Sequence, residues 1–301
     1  MQNFINIVFA TNQQYIQHLC AAIKSLLDNN KDSSFKIYII NSGISKNIYA
    51  NILTVIKPYN CQLENIVISD NYFKELVLTH HYSKEIYYRL LIPELINEEK
   101  VLYLDADIII NGSIKEIYNQ NIEDYYVCAV EDPFFDRYEE LKIEKKFRYF
   151  NSGVMLINVM KWRNTDLHKK VINFVEKNFK ILHFPDQDAL NALMYGNWKR
   201  LPLKYNLTMI LDNNYEHEFP CFSKEELREA KINPIIIHYT GGSKPWQLKN
   251  IHPYKYLYWK YLWMTPYRFS LPTELQPKNI LKSLVPKAVK MQIKKIITFN
   301  Q

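Results

Sequence analysis

Apolar residues in this chain fall into short runs divided by polar loops, and the runs alternate between two periods. Residues 4–10 (F-I-N-I-V-F-A), 35–40 and 62–68 are apolar at nearly every position or at alternate ones, which predicts strands of a sheet covered on both faces. Between them, Leu19, Ile23, Leu26 and Leu27 recur at helical spacing, and residues 45–56 do the same. Residues 83–91 read as helical and carry Arg89. Residues 101–111 (V-L-Y-L-D-A-D-I-I-I-N) then read as one buried strand interrupted by two acids. Further strands are predicted over 125–131, 150–159 and 234–238, and helices over 166–179 and 185–196. Residues 132–149, charged and aromatic, read as a surface excursion able to act as a mobile lid. Strands alternating with helices in this order predict an α/β fold, with a mainly parallel sheet flanked by helices. Ligands bind such sheets beyond the carboxyl ends of the strands, where the 11–15 loop and the 105–107 acids both fall.

Composition narrows the function classes. The chain has 301 residues and 48% hydrophobic residues, enough for a sizeable core. Six glycines leave no glycine-rich phosphate loop, and neither G-x-G-x-x-G nor the P-loop signature occurs. Four scattered cysteines (20, 61, 128, 221) form no zinc or redox pair and suit a reducing compartment. The first ten residues lack the basic and apolar regions of a signal peptide, and no apolar run approaches the ~20 residues that span a bilayer. The net charge is +7, but six lysines between positions 278 and 295 account for most of it. Basicity therefore belongs to the tail, and no nucleic-acid-binding face is expected.

Asp105 and Asp107 are the candidates for chemistry. Buried carboxylates are costly without a partner, and a divalent cation at a strand exit would supply one. A solvated turn is the alternative. His238 leaves a second apolar strand, Ile235-Ile236-Ile237, and reads as either structural or a ligand. Gly241 and Gly242 follow it and let a ligand approach the backbone, and Lys244 offers a point charge suited to phosphate. Two carboxylates, one imidazole and diphosphate oxygens would suit Mn²⁺ better than Ca²⁺ or zinc, with Mg²⁺ as substitute. Asp186 could cap the helix that opens at Pro185, and Asp188 reads as structural.

Six motifs occur in one order: I-V-F-A-T-N-Q-Q-Y (7–15), Y-Y-R-L (87–90), V-L-Y-L-D-A-D (101–107), Y-F-N-S-G-V-M-L-I-N (149–158), P-D-Q-D-A-L-N (185–191) and H-Y-T-G-G-S-K-P-W (238–246). Together they resemble retaining glycosyltransferases of family 8, most of all the bacterial lipopolysaccharide galactosyl- and glucosyltransferases. The resemblance implies a GT-A-type nucleotide-binding fold over 1–250, followed by an aromatic and basic membrane-association segment over 251–301. It implies Mn²⁺ on Asp105, Asp107 and His238, with Ala106 between the acids. It places uridine against Ala10, Thr11, Asn12 and Tyr15, and the rest of a UDP-hexose against Arg89, Asn151, Ser152, Asp186 and Gln187. Gly241 and Lys244 would hold the diphosphate. Asn12 stands where close relatives often carry Asp, though its side-chain oxygen can still accept from the uracil N–H. Gln187 and Asp186 would be the catalytic pair. Gln187 has no basicity, so its part would be to steady a positively charged sugar.

Residues 253–269 are rich in Tyr and Trp, and residues 280–297 interleave apolar residues with lysines. This predicts a basic interfacial helix on an anionic membrane surface, and a peripheral location on the inner face of the cell membrane. The acceptor would be an oligosaccharide or glycolipid. The competing readings are a phosphohydrolase using Asp105, for which Ile109 breaks the D-x-D-x-[TV] pattern, and a non-catalytic membrane-associated sugar- or nucleotide-binding protein.

Overall fold

The computed structural model describes residues 4–69, 84–208, 219 and 221–275. Four strands run parallel: β1 (Phe4–Thr11), β2 (Ser34–Asn41), β3 (Cys61–Val67) and β4 (Lys100–Leu104). The helices α1 (Ile16–Asp28) and α2 (Lys46–Ile56) make the crossovers. Beyond β4 come β6 (Val127–Glu131), β7 (Phe150–Asn158) and β8 (Lys199–Arg200), giving the order β3-β2-β1-β4-β7-β6-β8. β7 is antiparallel to both neighbours, and β6 pairs parallel with β8. This is the α/β architecture with a mainly parallel, mixed sheet that the hydrophobic pattern predicts.

The unbroken apolar runs have a direct cause. In β1, Ile7 and Phe9 face α1, where Leu19, Ile23 and Leu26 are fully buried. Val8 faces the other way, into a second core with Tyr38, Tyr103, Met155 and Trp162. Period-2 geometry sends alternate side chains to opposite faces, so a sheet covered on both sides needs apolar residues at every step. Each such side chain stabilises by about 1.5–3 kcal/mol relative to an exposed one.

Residues 101–111 depart from the single strand expected. β4 ends at Leu104, and a separate β5 (Ile108–Ile110) pairs antiparallel with β9 (Ile236–His238) in its own two-stranded sheet. The acids occupy the break, because a carboxylate cannot continue a strand whose two faces are both dry. Residues 132–149 form a surface excursion without helix or strand, and it is tied down at several points. Leu141, Ile143 and Tyr149 are buried, Phe135 stacks on Tyr149 with centroids 3.7 Å apart, and Arg137 holds both oxygens of Asp188 at 2.9 and 2.7 Å. The helical expectation over 83–91 is met by a 3₁₀ segment, Lys84–Leu91.

Three more helices matter for the site: α3 (Leu167–Asn178), α4 (Pro185–Met194) and α5 (Lys224–Ile232). A fourth, α6 (Lys255–Trp263), carries much of the aromatic stretch and lays Leu257, Tyr258, Tyr261 and Leu262 against Ala21, Ile109, Ile237 and Tyr239. The predicted basic helix over 280–297 lies outside the described residues.

Candidate metal centre and donor cleft

Strand register brings the distant acids and histidine together. Asp105 follows β4, whose Leu104 lies beside Phe9 of β1, so the exits of both strands share one rim. Ile108 pairs with His238, and the Tyr239 N–H donates to the Asp107 carbonyl at 3.0 Å, which fixes β9 against the Asp-Ala-Asp break. One oxygen or nitrogen from each of Asp105, Asp107 and His238 then falls within 4.8 Å of the others. His238 Nε2 lies 3.3 Å from Asp107 Oδ1 and 3.6 Å from Asp105 Oδ2.

The imidazole is oriented by a chain of hydrogen bonds that starts from a backbone donor. The Gly153 N–H donates to Asn151 Oδ1 at 3.1 Å, and Asn206 Nδ2 donates to the same oxygen at 2.9 Å. That leaves Asn206 Oδ1 to accept from His238 Nδ1 at 3.0 Å. The Nδ1 proton is thereby assigned, and the Nε2 lone pair points at the carboxylates. Three acceptors converging on one point repel each other without a cation, so this donor set fits a divalent metal. Gly153 completes the cradle. A Cβ there would lie 2.1 Å from His238 Cε1 and 2.7 Å from Asp105 Oδ2.

Charges around the triad are paired. Arg89 is 6% exposed and donates from Nη2 to Asp105 Oδ1 (2.9 Å) and from Nη1 to the carbonyl and hydroxyl of Ser152 (2.8 and 2.9 Å). Its Nε lies 3.2 Å from Asp186 Oδ2 without the alignment of a hydrogen bond. Burial opposes the guanidinium charge, but the carboxylates of Asp105 and Asp186 outweigh it and hold the group firmly protonated. Tyr103 donates its hydroxyl to Asp105 Oδ1 at 2.8 Å and carries Arg89 over its ring. Lys244 Nζ sits 2.5 Å from Asp107 Oδ2 and 2.7 Å from the Tyr239 carbonyl. Burial alone would raise the Asp107 carboxyl, yet the Lys244 ammonium against it holds it well below the ordinary range.

The floor of the cleft is a second polar network. Gln187 Oε1 accepts from the Ser152 N–H at 2.9 Å, and its Nε2 donates to Asp132 Oδ2 at 3.1 Å. Ser152 Oγ lies 3.3 Å from Asp186 Oδ2. Burial pushes the Asp186 carboxyl up, with Arg89 pulling against it, and burial likewise raises Asp132. The N-cap of α4 is Phe184, whose side chain makes no cap bond, and Asp186 and Asp188 both lie in the first turn. Asp188 Oδ2 reaches back to accept from the N–H groups of His183 and Phe184 (2.7 and 3.1 Å) and ties the loop to the helix.

The nucleotide candidates line a cavity of about 210 Å³ with Arg89 and the three residues 105–107. Ala10, Thr11, Asn12 and Tyr15 form one wall, as do Glu85 and Ile86, to which the sequence assigns no role. Asn12 Oδ1 accepts from the N–H groups of Gln14 and Tyr15 (3.0 and 3.2 Å), so the oxygen expected to meet uracil already caps its own turn. Gly241 has φ +74, the left-handed region, with open space where a side chain would sit.

Tyr103, Asp132, Gly153 and Asn206 join the site without having been assigned a role from sequence. Tyr103 carried a usable signal, since two steps before Asp105 puts both on one strand face. Asn206 carried none.

A model of Glycosyl transferase family 8 matches residues 6–250. General stress protein A of Bacillus subtilis is 31% identical over 267 residues, covering 86% of this chain and 93% of that protein. A lipopolysaccharide 1,2-glucosyltransferase of Escherichia coli is 30% identical over 249 residues, 80% and 73% of the two chains. Among solved structures, galactosyltransferase LgtC in complex with donor and acceptor sugar analogues superposes with a TM-score of 0.77 at 26% identity, covering 90% of this chain and 98% of that one. An active-site mutant of LgtC with glutamate in place of glutamine gives 0.75, also at 26%.

Proposed function

The chain belongs to glycosyltransferase family 8, and from that premise we propose that it moves galactose or glucose from a UDP-sugar to a saccharide acceptor, using Mn²⁺ and retaining configuration at the anomeric carbon. The observation that carries this reading is the convergence of Asp105, Asp107 and His238 within 4.8 Å. The metal, with Mg²⁺ as substitute, would supply positive charge to the departing diphosphate.

The chain's own groups then have distinct tasks. Asp105, Asp107 and His238 would hold the cation. Lys244, which rests on Asp107, would offer its ammonium to the diphosphate. Arg89 ties Asp105 to the Ser152 segment. Ala10, Thr11, Asn12 and Tyr15 receive the uridine, Asn151 and Ser152 face the sugar, and the turn at Gly241 lets the diphosphate approach the backbone. Gln187 and Asp186 lie under the anomeric carbon. The Gln187 amide is held between Ser152 and Asp132, so its carbonyl oxygen is oriented to stabilise an oxocarbenium-like sugar without acting as a base. The LgtC mutant supports an active-site glutamine in this fold. The acceptor hydroxyl attacks from the face the diphosphate leaves, which retains configuration.

The E. coli relative supports a lipopolysaccharide, lipooligosaccharide or other surface glycan as acceptor. A peripheral site on the inner membrane face is part of the same reading. No described helix is long and apolar enough to cross a membrane. Exposed Tyr256, Trp263 and Phe269 line an apolar cleft of about 850 Å³ just ahead of the lysine-rich tail. Equal sedimentation with anionic vesicles by the full chain and one ending at Leu275 would remove the tail's role.

The deciding test is incubation with UDP-galactose and UDP-glucose, with and without Mn²⁺. We expect slow Mn²⁺-dependent release of UDP, lost in Asp107→Ala. Phosphate release from other esters would favour a hydrolase, and neither product would leave a binding protein.

A further inference from the structure

The turn that leaves β9 at His238 carries Lys244 at the diphosphate end of the cleft and ends at Trp246. The Trp246 indole lies flat on His18 of α1, with centroids 3.5 Å apart and planes 18° apart. It also meets the Tyr15 ring edge-on, at 5.8 Å and 89°. Tyr15 in turn packs edge-on against His18 at 5.4 Å. Behind the stack, His18 Nδ1 and the hydroxyl of buried Tyr258 in α6 are 2.7 Å apart, which sets the plane of the imidazole. Burial lowers His18 to about 3, so the ring in the stack is neutral. The Trp246 carbonyl accepts from the Thr273 N–H at 2.9 Å, anchoring the turn from the C-terminal side.

Tyr15 needs this support. It closes a single 3₁₀ turn (Gln13–Tyr15), is 37% exposed and stands in the wall of the 210 Å³ cavity. Without a neighbour, such a ring is free to change rotamer. We propose that Trp246, backed by His18 and Tyr258, is a positioning residue that fixes Tyr15 as the platform for the donor's nucleobase. Because Trp246 shares its turn with Lys244, the stack also sets the span between base and diphosphate. The fit is to a nucleoside diphosphate whose base lies against Tyr15. This assignment rests on the reading of the cleft as a UDP-sugar site.

Calorimetric titration of the full chain with UDP and with pyrophosphate, both with Mn²⁺, tests it. In Tyr15→Ala, UDP affinity falls and pyrophosphate affinity holds. An unchanged UDP affinity there overturns the platform, and no UDP binding by the wild-type chain overturns the donor reading itself. In Trp246→Leu, UDP affinity falls about threefold to tenfold, the scale of a lost aromatic pair, while pyrophosphate affinity is kept. Trp246→Phe, which keeps a ring over His18, stays within about twofold of wild type on the same scale. The Tyr15→Ala/Trp246→Leu double variant binds UDP no more weakly than Tyr15→Ala, since Trp246 acts through Tyr15. Wild-type UDP affinity in Trp246→Leu, an equal loss for pyrophosphate, or additive losses in the double variant would each overturn the proposal. If Trp246→Leu does not fold, His18→Leu removes the other half of the stack and gives the same comparison.

Discussion

Gly153→Ala puts a single methyl group where the proposed cation is gripped. The added Cβ would stand 2.1 Å from His238 Cε1 and 2.7 Å from Asp105 Oδ2. Carbon atoms settle at roughly 3.5 Å, so the imidazole or the strand must give way by about 1.4 Å. Metal–ligand distances tolerate only about 0.2 Å. His238 has little room to retreat, because Nδ1 is tied to Asn206 and its backbone is paired with Ile108. Moving the ring breaks the Asn206 bond, and holding it overpacks β7. Either route costs about 1–3 kcal/mol of stability, which a domain of this size should survive. Mn²⁺ affinity, measured by calorimetry or electron paramagnetic resonance without nucleotide, should fall at least about 100-fold while the circular dichroism spectrum is kept. In Gly242→Ala the added methyl meets open space, so Mn²⁺ affinity should be unchanged. A folded Gly153→Ala protein that binds Mn²⁺ as wild type does would refute the cradle.

Three further outcomes follow from the same geometry. Asn206→Leu removes the acceptor that fixes the His238 tautomer, and Mn²⁺ affinity should drop about 10- to 100-fold with the triad itself intact. Lys244→Met takes away the cation now resting on Asp107. Mn²⁺ should then bind about tenfold more tightly in the absence of nucleotide, whereas UDP binds more weakly; equal or weaker Mn²⁺ binding contradicts that competition. His18 is lowered to about 3 from an ordinary 6.5, so the fold favours the neutral ring. Its stability contribution is complete above pH 6.5 and is lost as pH falls toward 3. At pH 5 the loss is about 2 kcal/mol, from 1.5 pH units at about 1.4 kcal/mol each. Denaturant titrations at pH 7 and pH 5 should show a loss about 2 kcal/mol larger in wild type than in His18→Leu. His252, lowered to about 4, adds a loss of similar size to both proteins in the same window.

The sheet was legible in the sequence because burial on both faces leaves few polar positions to confuse the period, as in residues 4–10, where Asn6 alone is polar, and in the unbroken apolar run 154–157. The break between β4 and β5 was not, since three isoleucines after Asp107 look the same whether they continue one strand or begin a second sheet. The pair Asp105 and Asp107 stood out through its apolar flanks. Asn206 gave no such signal, because an amide's value depends on which atoms face it, and those come from β7 and β9. Asp186 and Asp188 show the same limit. Both lie in the first turn of α4, and only the direction of each side chain, one toward Arg89 and one toward the His183 and Phe184 amides, tells them apart.

The most direct measurement is a Mn²⁺ titration of wild type, Asp107→Ala and His238→Ala, followed by UDP release from UDP-galactose and UDP-glucose at saturating metal. Tight binding and metal-dependent release in wild type, with both lost in each variant, is the expected result. Wild-type Mn²⁺ affinity and turnover in either variant would contradict it.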